Sequence, residues 1–185
     1  MDNDLIRKDM NMITIRDYRE SDAESVGILI ADTYGEFNLS FVPPKERGPF
    51  LGPFQHARSP DKFHQEAIAQ VISAPMVLVA ENDGEIVGVL RGGRKDERQR
   101  VVLQSLFVKA THHRRGIGRK LAERFEQACQ RRGETVIRVA STPYAVPFYQ
   151  AVGYKKTTGV RAMRSFEGSG FEYQPMKKVL TKIGE

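Results

Sequence analysis

An α/β domain is the fold class this sequence predicts, and three observations carry the prediction. Short apolar strands alternate with amphipathic helical stretches; an Asp-Gly turn joins two of the strands as a hairpin; and a buried-looking strand runs straight into a basic, glycine-containing turn that opens a helix. The 185 residues are 40% hydrophobic, 28% charged and 9% aromatic, enough for one domain with a sizeable core, which excludes collagen-like, mucin-like and fully disordered chains. A single domain is expected over residues 13–185. Residues 1–12 are polar, hold three methionines and show no sustained period, so they read as a flexible leader.

Ile13-Thr14-Ile15-Arg16 alternates as a short strand does, and Ser21-Asp22 then offers a helix cap before Val26, Leu29, Ile30 and Thr33 at helical spacing. From residue 34 to 60 the prolines and glycines of Val42-Pro43-Pro44, Gly48-Pro49, Gly52-Pro53 and Ser59-Pro60 break regular structure and predict a long loop or broken helix carrying several aromatics. A second helix is expected with Ser59 as cap and Pro60 in its first turn, running to about Ser73. Residues 76–80 and 86–90 flank Asn82-Asp83-Gly84 as the hairpin, and Gly92 to Arg98 reads as a charged connection. Residues 101–108 form a largely apolar, hence central, strand. The helix after Gly118 puts Ile117, Leu121, Phe125 and Ala128 on one face and ends near Gly133; a strand follows over 135–140. Ser141-Thr142-Pro143 caps and opens a short helix through Gln150, and strand-like segments around 154–165 and 171–180 close the domain.

Twenty-nine Lys and Arg against 23 Asp and Glu leave a formal charge of +6, which favours an anionic partner without naming it. The single cysteine, Cys129, cannot form an internal disulfide and reads as a small buried hydrophobe, and the four histidines have no companion thiols for a structural zinc site; a reducing cytoplasm and no metal are expected. No apolar stretch approaches the ~18 residues that span a bilayer, and Met1-Asp2-Asn3-Asp4 lacks the basic start of a secretory signal, so no membrane association is expected.

The most informative unit is Arg114-Arg115-Gly116-Ile117-Gly118. Without β-carbons at Gly116 and Gly118, phosphate oxygens can approach the backbone, and the first-turn N–H groups of the following helix have no intrahelical acceptors. The positive helix end adds attraction, with Arg114, Arg115, Arg119 and Lys120 around it. Residues 109–138 hold nine Lys and Arg against three Glu, a local +6 equal to the whole-chain excess. A dinucleotide-binding fingerprint and a P-loop both need glycine spacings that are absent here.

The order of elements resembles the GCN5-related N-acetyltransferase (GNAT) family, whose pyrophosphate motif R/Q-x-x-G-x-G/A follows the fourth strand and is matched by His113-Arg114-Arg115-Gly116-Ile117-Gly118. A second match is the run from Ser141 to Tyr154, similar to the family's fifth-strand exit and its FYxxxGF or FYxxxGY ending, here Phe148-Tyr149 through Gly153-Tyr154. The resemblance spans Ile13 to about Leu180. It implies a mixed, mostly antiparallel twisted sheet of six to seven strands flanked by about four helices (α+β), with acetyl-CoA as co-substrate between splayed fourth and fifth strands. His113 stands where the family carries Arg or Gln, and the asparagine common after the fifth strand is absent, leaving Ser141 and Thr142 nearby.

The resemblance implies that backbone groups of Leu106, Phe107 and Val108 hold the acetyl and pantetheine portion, that His113, Arg114, Arg115, Gly116, Ile117, Gly118 and Arg119 hold the pyrophosphate, and that Tyr149 is the general acid for the leaving thiolate. An ordinary phenol pKa of about 10 is near a thiol's; aromatic packing with Phe148 and Tyr154 is the alternative role. No general base is identifiable, because Gln104 and Ser105 occupy the strand where many relatives carry glutamate. The activity implied is acetyl transfer to a primary amine of a small molecule or protein by direct attack. An acyl-CoA-binding sensor of the same fold is the alternative, and a nucleic-acid-binding module is a weaker rival without a recognition motif or stacking series. The aromatics between Phe37 and Phe54 could wall an amine pocket, cover the sheet or form a homodimer contact.

Overall fold

The computed structural model describes residues 13–163 and 171–181. The leader expected over residues 1–12 lies outside the described residues, as do positions 164 and 165 of one expected strand segment. Among the described residues eight strands form the sheet: β1 (Thr14–Asp17), β2 (Met76–Asn82), β3 (Glu85–Lys95), β4 (Val101–Val108), β5 (Val136–Ser141), β6 (Lys155–Lys156), β7 (Arg161–Met163) and β8 (Phe171–Val179). Their order is β1-β2-β3-β4-β5-β8-β6, with β7 also paired to β8, and every pairing is antiparallel except β4 with β5. The expected segment at 154–165 divides into β6 and β7, which follow one another along β8 across a break at residues 157–160, and this accounts for the strand beyond the expected seven.

The helices are α1 (Ala23–Thr33), α2 (Gly48–Leu51), α3 (Lys62–Ile72), α4 (Ile117–Arg131) and α5 (Val146–Ala151). Between α1 and α3 the chain is a broken helix: a wide turn at Tyr34–Asn38 and tight ones at Pro44–Glu46 and Gly52–His56 surround α2. Alternation along the strands sends neighbours to opposite faces. Leu78 and Leu90 join Leu121, Phe125 and Ile137 under α4, while Val79 and Val89 join Val26, Ile30, Ile68 and Ile72 under α1 and α3. Each fully buried aliphatic or aromatic side chain contributes about 1.5–3 kcal/mol by leaving water.

Three local expectations need correction. Helix α3 starts at Lys62, and its cap is Asp61, whose carboxylate accepts from the Phe63 N–H; the Ser59 hydroxyl instead accepts from the Asp61 N–H, two residues too early to cap. Ser141 and Thr142 do not cap with their side chains: Ser141 is buried in β5 and its hydroxyl donates to the Thr142 carbonyl. The charged connection is shorter than expected, because β3 continues through Gly92 to Lys95. Gly92 permits that continuation, since a β-carbon there would lie 2.6 Å from the Phe125 ring.

The register next to Gly92 positions everything that follows. Arg91 faces Ser105 and Gly92 faces Leu103, leaving Gln104 as an extra residue on β4. Such a bulge bends its strand and ends regular pairing. Strand β4 accordingly pairs with β5 only at Val101↔Ile137, Val102↔Arg138 and Leu103↔Val139, and the two strands part beyond that point.

Candidate active site

Where β4 and β5 part, the sheet opens into a cavity of about 750 Å³. Thr33, Tyr34 and Asn38 line it from the α1 side, Gly116 to Arg119 from the α4 side, so the opening passes from one face of the sheet to the other. Its strand walls are residues 104–108 of β4 and Val139 to Thr142 around the end of β5. On β4 the edge toward β5 is unpaired there and offers main-chain N–H and C=O groups to an extended ligand. Leu106, Phe107 and Val108 all lie on this wall.

The turn into α4 is shaped by two left-handed residues, Arg114 at φ 64° and Gly116 at φ 75°. Gly116 caps α4 without a side-chain acceptor, so the N–H groups of Ile117, Gly118 and Arg119 face outward from the helix start. His113, Arg114, Gly116, Ile117, Gly118 and Arg119 line the cavity; Arg115 does not, though its charge acts on His112. The two glycines serve different ends. Gly116 supplies the left-handed turn with open space around it, whereas a β-carbon on Gly118 would meet the Phe148 ring at 2.9 Å. Local spacing predicts only a backbone-access role for Gly118; its packing role follows from α5 crossing the start of α4.

His113 turns its ring away from an anion-binding posture: Nε2 donates to the Val108 carbonyl at 2.7 Å, and the ring lies 4.9 Å from that of Phe37. Phe37 also stacks on Tyr144, 5.2 Å between centroids, so an aromatic layer joins the α1 side to the segment after β5. Of the other aromatics expected near the acceptor, Phe54 is buried in the α1–α3 core. His112 lines the cavity too, with its ring nitrogens facing Asn82 Nδ2 and Thr111 Oγ1; burial first and then Arg115 lower its pKa.

Tyr149 lines the cavity from α5 and is 4% exposed. Its ring packs edge-on against Phe148 and Tyr154, with centroids 5.2 and 5.4 Å away, so the packing role and a position at the cavity coexist. Burial pushes the hydroxyl well above the ordinary phenol value, which keeps it protonated but widens its gap to a thiol. Two polar groups that the sequence marked only as replacements for glutamate prove prominent. Gln104 Oε1 and Ser105 Oγ are buried at the cavity and have no hydrogen-bond partner among the described residues. At a cavity wall, such unpartnered atoms are open to a hydrogen bond from a ligand or water. Cys129 is buried in the α4 core, its thiol pushed up to about 11 by burial, as a structural cysteine is. Among the described residues no group of three His, Cys, Asp or Glu side chains could hold a metal ion.

A mixed sheet parted by a bulge, with a helix N-terminus at the mouth of the gap, is the architecture of the acyl-CoA N-acetyltransferases. Residues 51–180 match the family model of the acetyltransferase (GNAT) domain, and the chain belongs to that family. Among solved structures, the GCN5-related N-acetyltransferase from Rhodopseudomonas palustris superposes with a TM-score of 0.73 at 18% identity, over 92% of this chain and 98% of that one. The PaiA N-acetyltransferase from Thermoplasma acidophilum, in complex with coenzyme A, gives 0.67 at 16% identity over 91% and 99%. YncA from Salmonella typhimurium, with acetyl-CoA, gives 0.60 at 20% identity over 94% and 97%. At these identities the likeness is one of fold. No curated protein matches the sequence.

Proposed function

We propose that this protein transfers the acetyl group of acetyl-CoA to a primary amine by direct attack within the cavity between β4 and β5. The observation that carries the reading is the continuity of that cavity, from the unpaired amides at the start of α4 to the α1 face, which lets two substrates meet from opposite sides of the sheet. The fit to a CoA thioester rests on the donor set: helix-start N–H groups with Arg114 and Arg119 for the diphosphate, and the edge at Leu106, Phe107 and Val108, its Val108 carbonyl already taken by His113, for the amide-bearing arm. Two fold neighbours hold coenzyme A or acetyl-CoA, which supports the same ligand here.

In this reading a β4 main-chain N–H stabilises the charge that grows on the thioester oxygen, and Gln104 and Ser105 orient the amine or the water that accepts its proton. Tyr149 donates a hydrogen bond to the departing sulfur and gives up its proton only as charge develops there. The test is thiol release from acetyl-CoA across a panel of primary amines, with mass-spectrometric identification of the product. Amine-dependent release is expected. CoA binding without release above hydrolysis for every amine would favour the sensor reading.

A further inference from the structure

A second pocket, of about 310 Å³, lies at the paired part of β4 and β5 and is lined by Arg98, Arg100, Arg138, Thr157, Thr158 and Arg161. Its volume is at the low end of small-molecule sites. Four guanidinium groups from three separate parts of the chain converge on it: the β3–β4 turn, β5 and β7. Among the described residues the Asp96 carboxylate opposes them, and it is engaged by Arg100, which draws its pKa down to about 2. Asp96 also accepts from the Arg98 and Arg100 N–H groups, fixing the turn that presents both arginines. Arg138 is half-buried; burial first, then Arg100, depress its pKa, with Arg98 and Arg161 adding to the effect and Asp96 opposing it. Like charges that line one pocket repel one another, weakly where they are exposed as Arg98 and Arg161 are, and an anion among them relieves that repulsion.

The surrounding sheet repeats the pattern. Arg94, Val102, Arg138, Lys177 and Lys155 face one another in a single register row across β3, β4, β5, β8 and β6, so four of five cross-strand positions are cationic. Directly opposed like charges, here Arg138 with Lys177 and Lys177 with Lys155, are unfavourable in a sheet, a cost that an anion on this face would relieve. The Thr157 hydroxyl donates to the Pro175 carbonyl, so Thr158 is the better placed hydroxyl for an anion.

The position relates this pocket to the cavity. Ile137 and Val139 face the α4 core, so Arg138 and Ala140 point to the opposite face, the one α1 covers farther along the sheet. Ala140 lines the cavity and Arg138 the second pocket; their Cα atoms are about 7 Å apart along one strand.

Resting on the acetyltransferase reading, we propose that Arg98, Arg100, Arg138 and Arg161 bind an anionic group carried by the acceptor, so that the substrate class is an amine bearing a phosphate. Guanidinium forks match phosphate oxygens in geometry as well as charge. The pocket's separation from the α4 start distinguishes this anion from the CoA diphosphate.

The test is calorimetric titration of CoA-saturated protein with ω-aminoalkyl phosphates of increasing chain length, against the matching amino alcohols. One or more phosphates in the series should bind saturably and at least about tenfold more tightly than its alcohol. Arg161→Gln, at an exposed position, and Arg138→Gln should each weaken that binding about tenfold or more while leaving the Kd for CoA unchanged. Equal binding of phosphate and alcohol, or unaltered binding by both variants, overturns the proposal. Tight binding of inorganic phosphate that does not compete with any aminoalkyl phosphate also overturns it, by assigning the pocket to a free ion. Displacement by a single-stranded RNA oligomer at physiological salt would do so in favour of a polynucleotide. Failure to bind CoA at all would strike the acetyltransferase reading, whereas the phosphate-alcohol difference, measured on the free protein, would still report on the arginine pocket.

Discussion

His113 Nε2 donates to the carbonyl of Val108 across 2.7 Å, fastening the turn that begins α4 to the last residue of β4. The residue that departs from the family's Arg or Gln therefore holds the basic turn against the free edge of the strand, and its own side chain is occupied in doing so. Removing it with His113→Ala is expected to loosen the turn by about 1 kcal/mol and to raise the Kd for CoA about fivefold, with little change in turnover at saturation. Calorimetry with CoA and steady-state kinetics check this.

The two glycines of the turn are expected to respond in different ways. Gly116→Ala places a side chain in the left-handed region with no clash, costing about 1 kcal/mol in thermal stability. Gly118→Ala drives a methyl into the Phe148 ring, which lines the cavity, and should lower CoA affinity more than it lowers stability. Melting curves with and without CoA separate the two effects.

Gly92→Ala is expected to destabilise the protein by about 1–3 kcal/mol, because the new methyl must displace the fully buried Phe125 ring or shift the backbone carbonyl of Val102. Denaturant unfolding gives the cost directly. A value near zero would mean that the bulge opposite Gly92 relaxes freely.

Tyr149→Phe should lower kcat by about a hundredfold or more with the Kd for CoA unchanged. Because burial raises the hydroxyl's pKa, the wild-type rate should show no alkaline limb from this group up to about pH 10, and any acidic limb should follow deprotonation of the attacking amine. Unchanged turnover in the variant would leave Tyr149 with its packing role alone.

Asp22 joins β1 to α1: its carboxylate accepts from Arg16 Nη1 and Nη2 and from the Arg19 N–H. The Arg16 hydrogen bond lowers its pKa below the ordinary 3.8, against the opposing effect of burial. A depressed carboxylate stabilises the fold above its unfolded pKa and loses that contribution as pH falls through the folded one. Asp22→Asn should therefore cost about 2 kcal/mol at neutral pH, with the gap to wild type closing below about pH 4. Urea titrations at several pH values provide the comparison.

Much of the architecture was written in local pattern. The Asp-Gly hairpin, the helix with Ile117, Leu121 and Phe125 on one face, and the basic turn before it all depend on neighbours a few residues apart, so periodicity and turn chemistry suffice to find them. The turn's place at the cavity was legible for the same reason: a glycine-opened helix start exposes its amides wherever the helix packs. Asp61 was missed as the α3 cap because Ser59 and Pro60 mimic the same signal two residues earlier. What one-dimensional spacing could not supply was every relation that crosses the sheet. Gln104 becomes an extra residue only against the register of β3, and Gly118 meets Phe148 only once α5 folds over α4. Likewise Arg98, Arg138 and Arg161, scattered along the chain as ordinary surface charges, become one cluster because β4, β5 and β8 bring their segments together. Local sequence determined the elements and the amides on offer; long-range strand pairing decided where the sheet parts and which charges meet, because those depend on contacts between residues far apart in the chain.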